Sequence, residues 1–134
     1  MQLMAARPVL VDTSFYIDRL RQHKPLILEL RTIASNRSLA ICGAIRCEVG
    51  RGIRGPAAKK LIHQVWSTML YVPADNRLWE STEELLWQLD RQGIVVPVID
   101  ALIAESAKRI GAVILTLDSL FQMIPGITAV DRIV

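Results

Sequence analysis

Residues 8–14 read Pro-Val-Leu-Val-Asp-Thr-Ser, and the predicted fold is organised around this stretch. Its apolar run, residues 9–11, is typical of a strand that is covered on both faces in a parallel sheet. The run ends at a carboxylate, Asp12, which is followed by two hydroxyl side chains. In open α/β sheets, ligands bind in the crevice beyond the carboxyl ends of the strands. We therefore expect Asp12 to stand at an edge of the sheet where a ligand binds.

Short apolar runs alternate with helical patterns in the rest of the chain. The predicted strands cover residues 9–11, 39–42, 70–73, 112–117 and 127–130, and the predicted helices cover residues 15–22, 25–35, 44–53, 57–69, 75–91 and 97–110. This alternation is typical of α/β proteins with a mostly parallel sheet. The fold class that the sequence predicts is therefore α/β.

Length and composition indicate one globular domain over residues 1–134, because 51% of the residues are hydrophobic and no linker, repeat or low-complexity tract interrupts the chain. No apolar stretch approaches the ~20 residues that span a bilayer, and the N-terminus lacks the pattern of a secretory signal. The two cysteines, Cys42 and Cys47, match no zinc-binding spacing. We therefore expect a cytoplasmic protein without membrane contact, whose thiols are reduced.

Charge is distributed unevenly along the chain. Residues 1–74 hold 11 Lys/Arg against 4 Asp/Glu, and residues 75–134 hold 5 against 9. A basic half suits an anionic partner such as a nucleic acid, which binds through phosphate contacts and counterion release. Ordinary solvated helix faces explain the same pattern, so charge alone leaves both interpretations open.

The predicted strand 112–117 ends in the same way as the first strand. It contains Thr116 and is followed directly by Asp118. If the two strands are neighbours, Asp12 and Asp118 lie along one edge of the sheet. Each aspartate taken singly is also a common helix N-cap, and that interpretation stays open beside the first.

Two further acids lie on predicted helices. Glu48 shares a helix face with Ile45 and Val49, and a carboxylate on a core-directed face is costly unless it is paired or bound to a cation. Asp100 heads a stripe of small residues near the start of its helix. The alternatives are a Glu48 that reaches solvent or an arginine, and an Asp100 that only the helix dipole stabilises.

Four carboxylates at close range cannot all stay ionised without a counter-charge. The usual counter-charge is a hard divalent cation, and Mg²⁺ or Mn²⁺ is typical where the substrate is a phosphate. Two such ions stabilise both the attacking and the leaving oxygen of a phosphodiester displacement, whereas a single ion activates water and polarises the phosphoryl oxygen. The sequence does not choose between these two arrangements.

Other kinds of catalytic site find no support in the sequence. His23 and His63 stand apart from the acids, and no nucleophile–histidine arrangement or phosphate-binding glycine pattern is present. The three tryptophans suit packing in the core or at an interface better than stacking on bases, and they are Trp66, Trp79 and Trp87.

An ordered set of motifs resembles the PIN domain family, and within it the VapC-type toxins of bacterial toxin–antitoxin pairs. The matching residues are Val11-Asp12-Thr13-Ser14, Glu48, Pro97-Val98-Ile99-Asp100-Ala101, and Leu115-Thr116-Leu117-Asp118 followed by Phe121. The resemblance covers essentially the whole chain, including its length and the order of the four acids. One departure is Leu120, where many relatives carry a histidine, so no proton-shuttle role is carried over to this position.

The resemblance implies a three-layer α/β/α PIN fold and an endoribonuclease that depends on Mg²⁺ or Mn²⁺. It makes Asp12 and Asp100 the principal metal ligands, with Glu48 and Asp118 completing an acidic catalytic pocket. Three hydroxyl side chains would orient these carboxylates or metal-bound water, and they are Thr13, Ser14 and Thr116. The implied partners are an RNA substrate, a cognate antitoxin whose peptide lies in a groove between the early helices, and a second copy of the chain in a homodimer.

Two alternatives belong to other functional classes. A phospho-acceptor signalling module also places acids at sheet ends, but it needs two adjacent acids after the first strand and a lysine after a late one. Here Asp12 is followed by Thr13, and no lysine follows Asp118. The second alternative, a non-catalytic PIN-like domain that binds RNA or a partner, is disfavoured because all four acids are present.

Overall fold

A computed structural model of the chain describes residues 6–133. Within this range, strands alternate with helices as the sequence predicts. In chain order, the elements are β1 (Val9–Val11), α1 (Thr13–Arg21), α2 (Leu26–Ala34), β2 (Leu39–Cys42), α3 (Gly43–Gly50), α4 (Pro56–Trp66), β3 (Leu70–Val72), α5 (Asn76–Arg91), α6 (Val98–Ile110), β4 (Val113–Leu115), a 3-10 helix (Ser119–Met123) and β5 (Ala129–Val130).

The five strands form one sheet in the order β3-β2-β1-β4-β5, and every pairing is parallel. The central strand β1 pairs with β2 on one side and with β4 on the other, so that Leu10 lies opposite Ala40 and Ile114. Helices flank this sheet in an α/β/α arrangement, which confirms the predicted fold class. The strand order reverses at β1, and in open parallel sheets such a reversal opens a crevice at the carboxyl ends of the two strands that meet there.

The core is built on the continuous apolar runs that identified the strands. All three residues of β1 are fully buried, and the residues of β2 and β4 are almost completely buried. Helix α5 buries Leu78, Leu85 and Leu89 on one face, at helical spacing, and packs along α6. The rigid centre of the sheet therefore holds the ends of β1 and β4 in fixed positions.

Arginine side chains close the amino edge of the sheet, opposite the edge at which Asp12 stands. The Arg7 guanidinium donates to the carbonyl of Gly111 at 2.9 Å, to the carbonyl of Ala112 at 3.2 Å and to Oγ1 of Thr128 at 3.0 Å. Arg37 Nε donates to the carbonyl of Arg7 at 3.0 Å. Gly111 ends α6 in the left-handed conformation, with φ 65°, and the two carbonyls that accept from Arg7 belong to this residue and the next, just beyond the helix.

Several predicted boundaries were wrong, each for a local reason. The predicted helix 57–69 ends at Trp66, since the hydroxyls of Ser67 and Thr68 donate to carbonyls of its last turn and compete with further helical bonds. The predicted helix 44–53 ends at Gly50, in a stretch where two glycines disfavour helix. The predicted strand 112–117 ends at Leu115, because the backbone N–H of Leu117 turns to a side chain outside the sheet.

Every helix within residues 6–133 is too short or too polar to span a lipid bilayer. Cys42 is buried at the end of β2, and Cys47 is exposed on α3. Burial raises the pKa of the Cys42 thiol above its usual range, so this group stays protonated and packs as part of the core.

Candidate active site

Asp12 connects β1 to α1 and is held by three hydrogen bonds to one oxygen. The Oδ2 atom accepts from Ser14 Oγ at 2.7 Å, from Thr116 Oγ1 at 2.8 Å and from the backbone N–H of Ser14 at 3.3 Å. Among the described residues, no hydrogen bond reaches Oδ1, although the side chain as a whole is only 4% exposed. Donors gathered on one oxygen fix the plane of the carboxylate and leave its other oxygen for a ligand.

The loop after β4 completes this cluster through its backbone. Leu117 N–H donates to Ser14 Oγ at 3.0 Å, and Asp118 N–H donates to Thr116 Oγ1 at 3.0 Å. Both hydroxyls therefore receive a backbone proton while they donate to Asp12. This arrangement links the ends of β1 and β4, which are neighbours in the sheet, and it places Asp118 beside Asp12 at the same edge.

Asp118 and Asp12 both cap helices, and both lie at the same edge of the sheet. The N-cap prediction and the prediction of a shared edge are therefore both correct. Asp118 Oδ1 accepts from the backbone N–H of Leu120 at 2.9 Å at the start of the 3-10 helix. Asp12 caps α1 only through the long bond from Ser14 N–H. The capping role of Asp12 is therefore weak, whereas that of Asp118 has good hydrogen-bond geometry.

Glu48 reaches the same edge from α3 and contacts α1. Thr13 Oγ1 donates to Glu48 Oε1 at 2.8 Å. The expectation of a core-directed carboxylate was wrong, since Glu48 is an exposed residue, although Ile45 and Val49 on the adjacent positions are buried. Glu48 therefore lies at the border of the apolar face of α3, beside the first residue of α1. The hydroxyl of Thr13 thus supports Glu48, while the Ser14 and Thr116 hydroxyls support Asp12.

Asp100 lies in the first turn of α6 and is half-buried. The pKa of Asp100 is raised to about 6, mostly by burial and then by the negative charges of Asp12, Asp118 and Glu48, in that order of effect. Each of the other three acids therefore lies close enough to repel the Asp100 carboxylate. The ion pairs among the described residues include none of these four acids, so no protein cation balances their charge.

These donors fit a hard divalent cation in kind. All are carboxylate oxygens, and their uncompensated charge would be lowered by a bound ion. Their separation is larger than a closed ligand set requires, because residues 6–133 contain no group of three His, Cys, Asp or Glu side chains close enough to hold a metal. Ligation by three of them therefore requires side-chain rotation, which exposure permits for Glu48 and Asp118, while Asp12 is fixed.

Two parts of the site escaped the sequence analysis. The backbone N–H groups of Leu117 and Asp118 organise the hydroxyls, and no side-chain pattern signals a backbone donor. A cavity of about 600 Å³ opens beside Asp118, and its lining includes Gln122 and Arg132. Gln122 lies on the 3-10 helix that Asp118 caps, whereas Arg132 reaches the cavity because it follows β5, which pairs with β4. The position of Arg132 in the sequence gave no indication of this contact.

Comparison with known proteins identifies the fold. The model of the PIN domain family matches residues 9–127. PIN domains are in general nucleases that depend on divalent metal ions. No curated protein sequence matches the chain.

Three solved structures illustrate the similarity. VapBC from Salmonella typhimurium, bound to DNA, is 22% identical with a TM-score of 0.75 and covers 93% of this chain and 98% of its own. VapBC2 from Rickettsia felis, bound to a DNA fragment from its promoter, is 19% identical with a TM-score of 0.75 and covers 92% and 97%. VapC20 from Mycobacterium tuberculosis, a toxin that cleaves the sarcin-ricin loop, is 15% identical with a TM-score of 0.62 and covers 85% and 92%. The predicted resemblance to the PIN domain family is confirmed by the family model, and the three solved structures share its fold.

Proposed function

The chain belongs to the PIN domain family, and we propose that it is a Mg²⁺- or Mn²⁺-dependent endoribonuclease that acts as the toxin of a toxin–antitoxin pair. One observation carries the proposal: four carboxylates lie at the carboxyl edge of the sheet, no cationic side chain within residues 6–133 pairs with them, and the pKa of Asp100 is raised to about 6. Such a concentration of unpaired acids destabilises a fold and is expected where a metal ion binds.

In this proposal, Asp12 and Asp100 are the principal metal ligands, and Glu48 and Asp118 complete the set. The bound ion would lower the pKa of an attacking water and neutralise charge that develops on the phosphoryl oxygens. The chain contributes a fixed Asp12 carboxylate, which Ser14 and Thr116 hold through Oδ2 so that Oδ1 is left for the ion.

An apolar groove supports the proposed antitoxin as a partner. Its volume is about 520 Å³, and its walls come from α1, α2 and α4. Three leucines in its lining are largely exposed, and they are Leu20, Leu28 and Leu61. Apolar side chains at an open groove between helices suit the apolar face of a partner helix. In this proposal, the cognate antitoxin covers the three leucines.

The remaining parts of the proposal concern assembly and location. The exposed Trp79 and Trp87 on α5 are the side chains that we assign to contact with a second copy in a homodimer. We propose that residues 1–134 act as one PIN domain in the cytoplasm, where RNA substrates are present and free thiols such as Cys42 and Cys47 stay reduced.

The test is cleavage of total cellular RNA by the purified chain with Mg²⁺, with Mn²⁺ and with excess EDTA. We expect cleavage only with a metal ion, and we expect Asp12→Ala and Asp100→Ala to abolish both cleavage and growth arrest on expression. The matched control is Asp90→Ala, because Asp90 is an exposed acid on α5 away from the four carboxylates. Circular dichroism melts would establish that each variant is folded.

Two results would contradict the proposal at different levels. Cleavage and growth arrest that persist in both Asp12→Ala and Asp100→Ala would reject the residue assignment. A folded wild-type chain that leaves RNA intact with either metal would reject the nuclease in favour of a non-catalytic binding domain.

A further inference from the structure

Helices α3 and α4 and the loop between them carry five basic residues and a single acid, Glu48, which faces the candidate site. Four side chains of this region, Arg46, Lys59, Lys60 and His63, form what we call the α3–α4 basic surface. Lys59 and Lys60 are exposed neighbours on α4 and, with His63, line an open cavity of about 470 Å³.

The basic residues of this surface have no acidic partner among the described residues. The ion pairs of the structure involve Arg19, Lys108, Arg109 and Arg132, and none involves Arg46, Lys59 or Lys60. The other residues that line the cavity are Pro56, Gln64 and Ser67, so the cavity contains no carboxylate. A cluster of positive charge without internal compensation attracts an anionic partner.

Two members of the surface are held in place by one buried side chain. The Arg46 guanidinium lies 5.5 Å from the centroid of the Trp66 ring, and the His63 ring stacks on the same indole at 5.5 Å. Trp66 itself is 2% exposed and donates a hydrogen bond from Nε1 to Tyr16 Oη at 3.1 Å. Arg46 from α3 and His63 from α4 are therefore both held against the Trp66 indole. Side chains that are already ordered lose less conformational entropy when they bind a ligand.

The same contacts connect this surface to the candidate site. Tyr16 follows Thr13 by one turn of α1, and Thr13 donates to Glu48 at 2.8 Å. The indole that holds Arg46 and His63 is therefore joined, through the Tyr16 hydroxyl, to the helix whose first residue supports Glu48. A single strand of several nucleotides that follows α1 and α3 would reach both places.

An acidic pocket by itself repels a polyanion. A divalent ion neutralises part of the charge of the four carboxylates at the cleavage point, but it adds no attraction for the phosphates on either side. Proteins that bind single strands supply this attraction with a positively charged track along the backbone. The α3–α4 basic surface has this property, and its Arg46 lies on the same helix as Glu48 of the acidic pocket.

We propose that the α3–α4 basic surface binds the phosphate backbone of single-stranded RNA whose neighbouring phosphodiester enters the acidic pocket. The inference rests on the proposed ribonuclease function and adds the surface that holds the substrate. An acidic protein segment is a weaker match, since a peptide that binds tightly also needs apolar pockets, and the exposed leucines lie in the separate groove between α1, α2 and α4.

The test compares Lys59→Gln/Lys60→Gln with Arg31→Gln/Arg77→Gln, which removes the same charge from exposed positions outside this surface. Binding is measured by fluorescence anisotropy of a labelled RNA of about 12 nucleotides, within the length that one single-strand site covers. The binding assays use the Asp12→Asn background so that the RNA stays intact, and kcat and KM are measured with Asp12 present.

We expect the Lys59/Lys60 variant to raise Kd at least about fivefold at ~0.1 M salt and to reduce the salt slope of log Kd by about 1.4, since two phosphate contacts are lost. KM should rise in parallel while kcat stays within about twofold, because these lysines touch the flanking backbone and leave the reacting phosphate alone. Lys59→Arg/Lys60→Arg should restore wild-type binding, and the Arg31/Arg77 control should bind like wild type.

A Lys59/Lys60 variant with the Kd and salt slope of the control would overturn the inference. So would normal RNA binding combined with loss of a co-expressed protein partner, which would assign the surface to a protein. Failure of the proposed function gives a different result: the wild type leaves RNA intact with Mg²⁺ and Mn²⁺, while the difference in RNA binding between the two double variants persists.

Discussion

Charged side chains lie at both edges of the parallel sheet, and the two edges differ in how the fold satisfies them. At the amino edge, the Arg7 guanidinium donates hydrogen bonds to two backbone carbonyls and a threonine hydroxyl. At the carboxyl edge, four carboxylates form no ion pair with any side chain of the described residues, and the pKa of Asp100 is raised by burial and by the charges of the other three. A charge that the fold itself satisfies stabilises the chain, whereas a charge left without a partner is available to a ligand. Arg7 is therefore expected to stabilise the fold, and the four carboxylates are expected to bind a ligand.

The largest expected effect is that of Asp12→Asn on RNA cleavage. The asparagine oxygen can accept from Ser14 and Thr116 as Oδ2 does now, so the substitution removes only the free carboxylate oxygen and its charge. We expect loss of cleavage by more than about a hundredfold, beyond the range for residues that only orient a ligand. Single-turnover cleavage with Mg²⁺ measures the loss, and the thermal midpoint should not fall. Cleavage within about tenfold of wild type would show that Asp12 is a helix cap and nothing more.

A smaller effect is expected for Thr116→Val, which keeps the shape of the side chain and removes its hydroxyl. Asp12 then loses one of two hydroxyl donors, and Asp118 N–H loses its acceptor. Activity should fall by about tenfold to a hundredfold, as for other residues that orient a metal ligand. The metal concentration at half-maximal cleavage should rise in parallel. If that metal concentration is unchanged, Thr116 supports the fold and does not orient a metal ligand.

At the amino edge, Arg7→Ala should change stability and leave catalysis intact. Three hydrogen bonds from a charged group are lost, but they lie at an exposed position, so we expect a loss of about 1–2 kcal/mol in the free energy of unfolding. Urea denaturation measures this loss. Cleavage per folded molecule should equal that of the wild type, and a fall of more than about threefold would contradict the separation of the two edges.

The smallest effect is a gain in stability from Asp100→Asn. The pKa of this carboxyl is 3.8 in the unfolded chain and about 6 in the folded one, so the folded state binds the proton more tightly. Below pH ~4 the group is protonated in both states, and its ionisation destabilises the fold increasingly as pH rises through ~6. Because the side chain is only half-buried, we discount the shift and expect a gain of about 1 kcal/mol above pH 7 without divalent ions.

Thermal melts at several pH values check this expectation. The gain should disappear by pH ~4, and added Mg²⁺ should stabilise the wild type more than Asp100→Asn. A variant that melts below the wild type at pH 8 in EDTA would show that the Asp100 carboxylate is compensated after all.

The sequence predicted the strands and the four acids because a continuous apolar run followed by an acid is a local signal, readable in residues 8–14 and again near Asp118. It could not predict which hydroxyl supports which acid. Ser14 and Thr116 converge on Asp12 only because β1 and β4 are neighbours, and Thr13 turns to Glu48 because α3 packs beside α1. The exposure of Glu48 likewise depends on how α1 packs beside α3, which helical periodicity does not specify.

Arg7 shows the same limit at the other edge. Nothing near it in sequence indicates a partner, since its acceptors lie more than a hundred residues away at Gly111 and Ala112. Long-range contacts decided the role of this arginine, and only the sheet order makes them visible.

The pairing of β1 with β4 has a consequence during synthesis on the ribosome. Thr116 is 104 residues from Asp12, so the first acid of the pocket is made long before the hydroxyl that holds it. At about 5–20 residues per second, the interval is on the order of 5–20 s. Throughout that interval the central strand has no β4 beside it, and a nascent or truncated chain that lacks residues 113–118 has an incomplete pocket. The candidate site is therefore complete only after residues 113–118 have been synthesised.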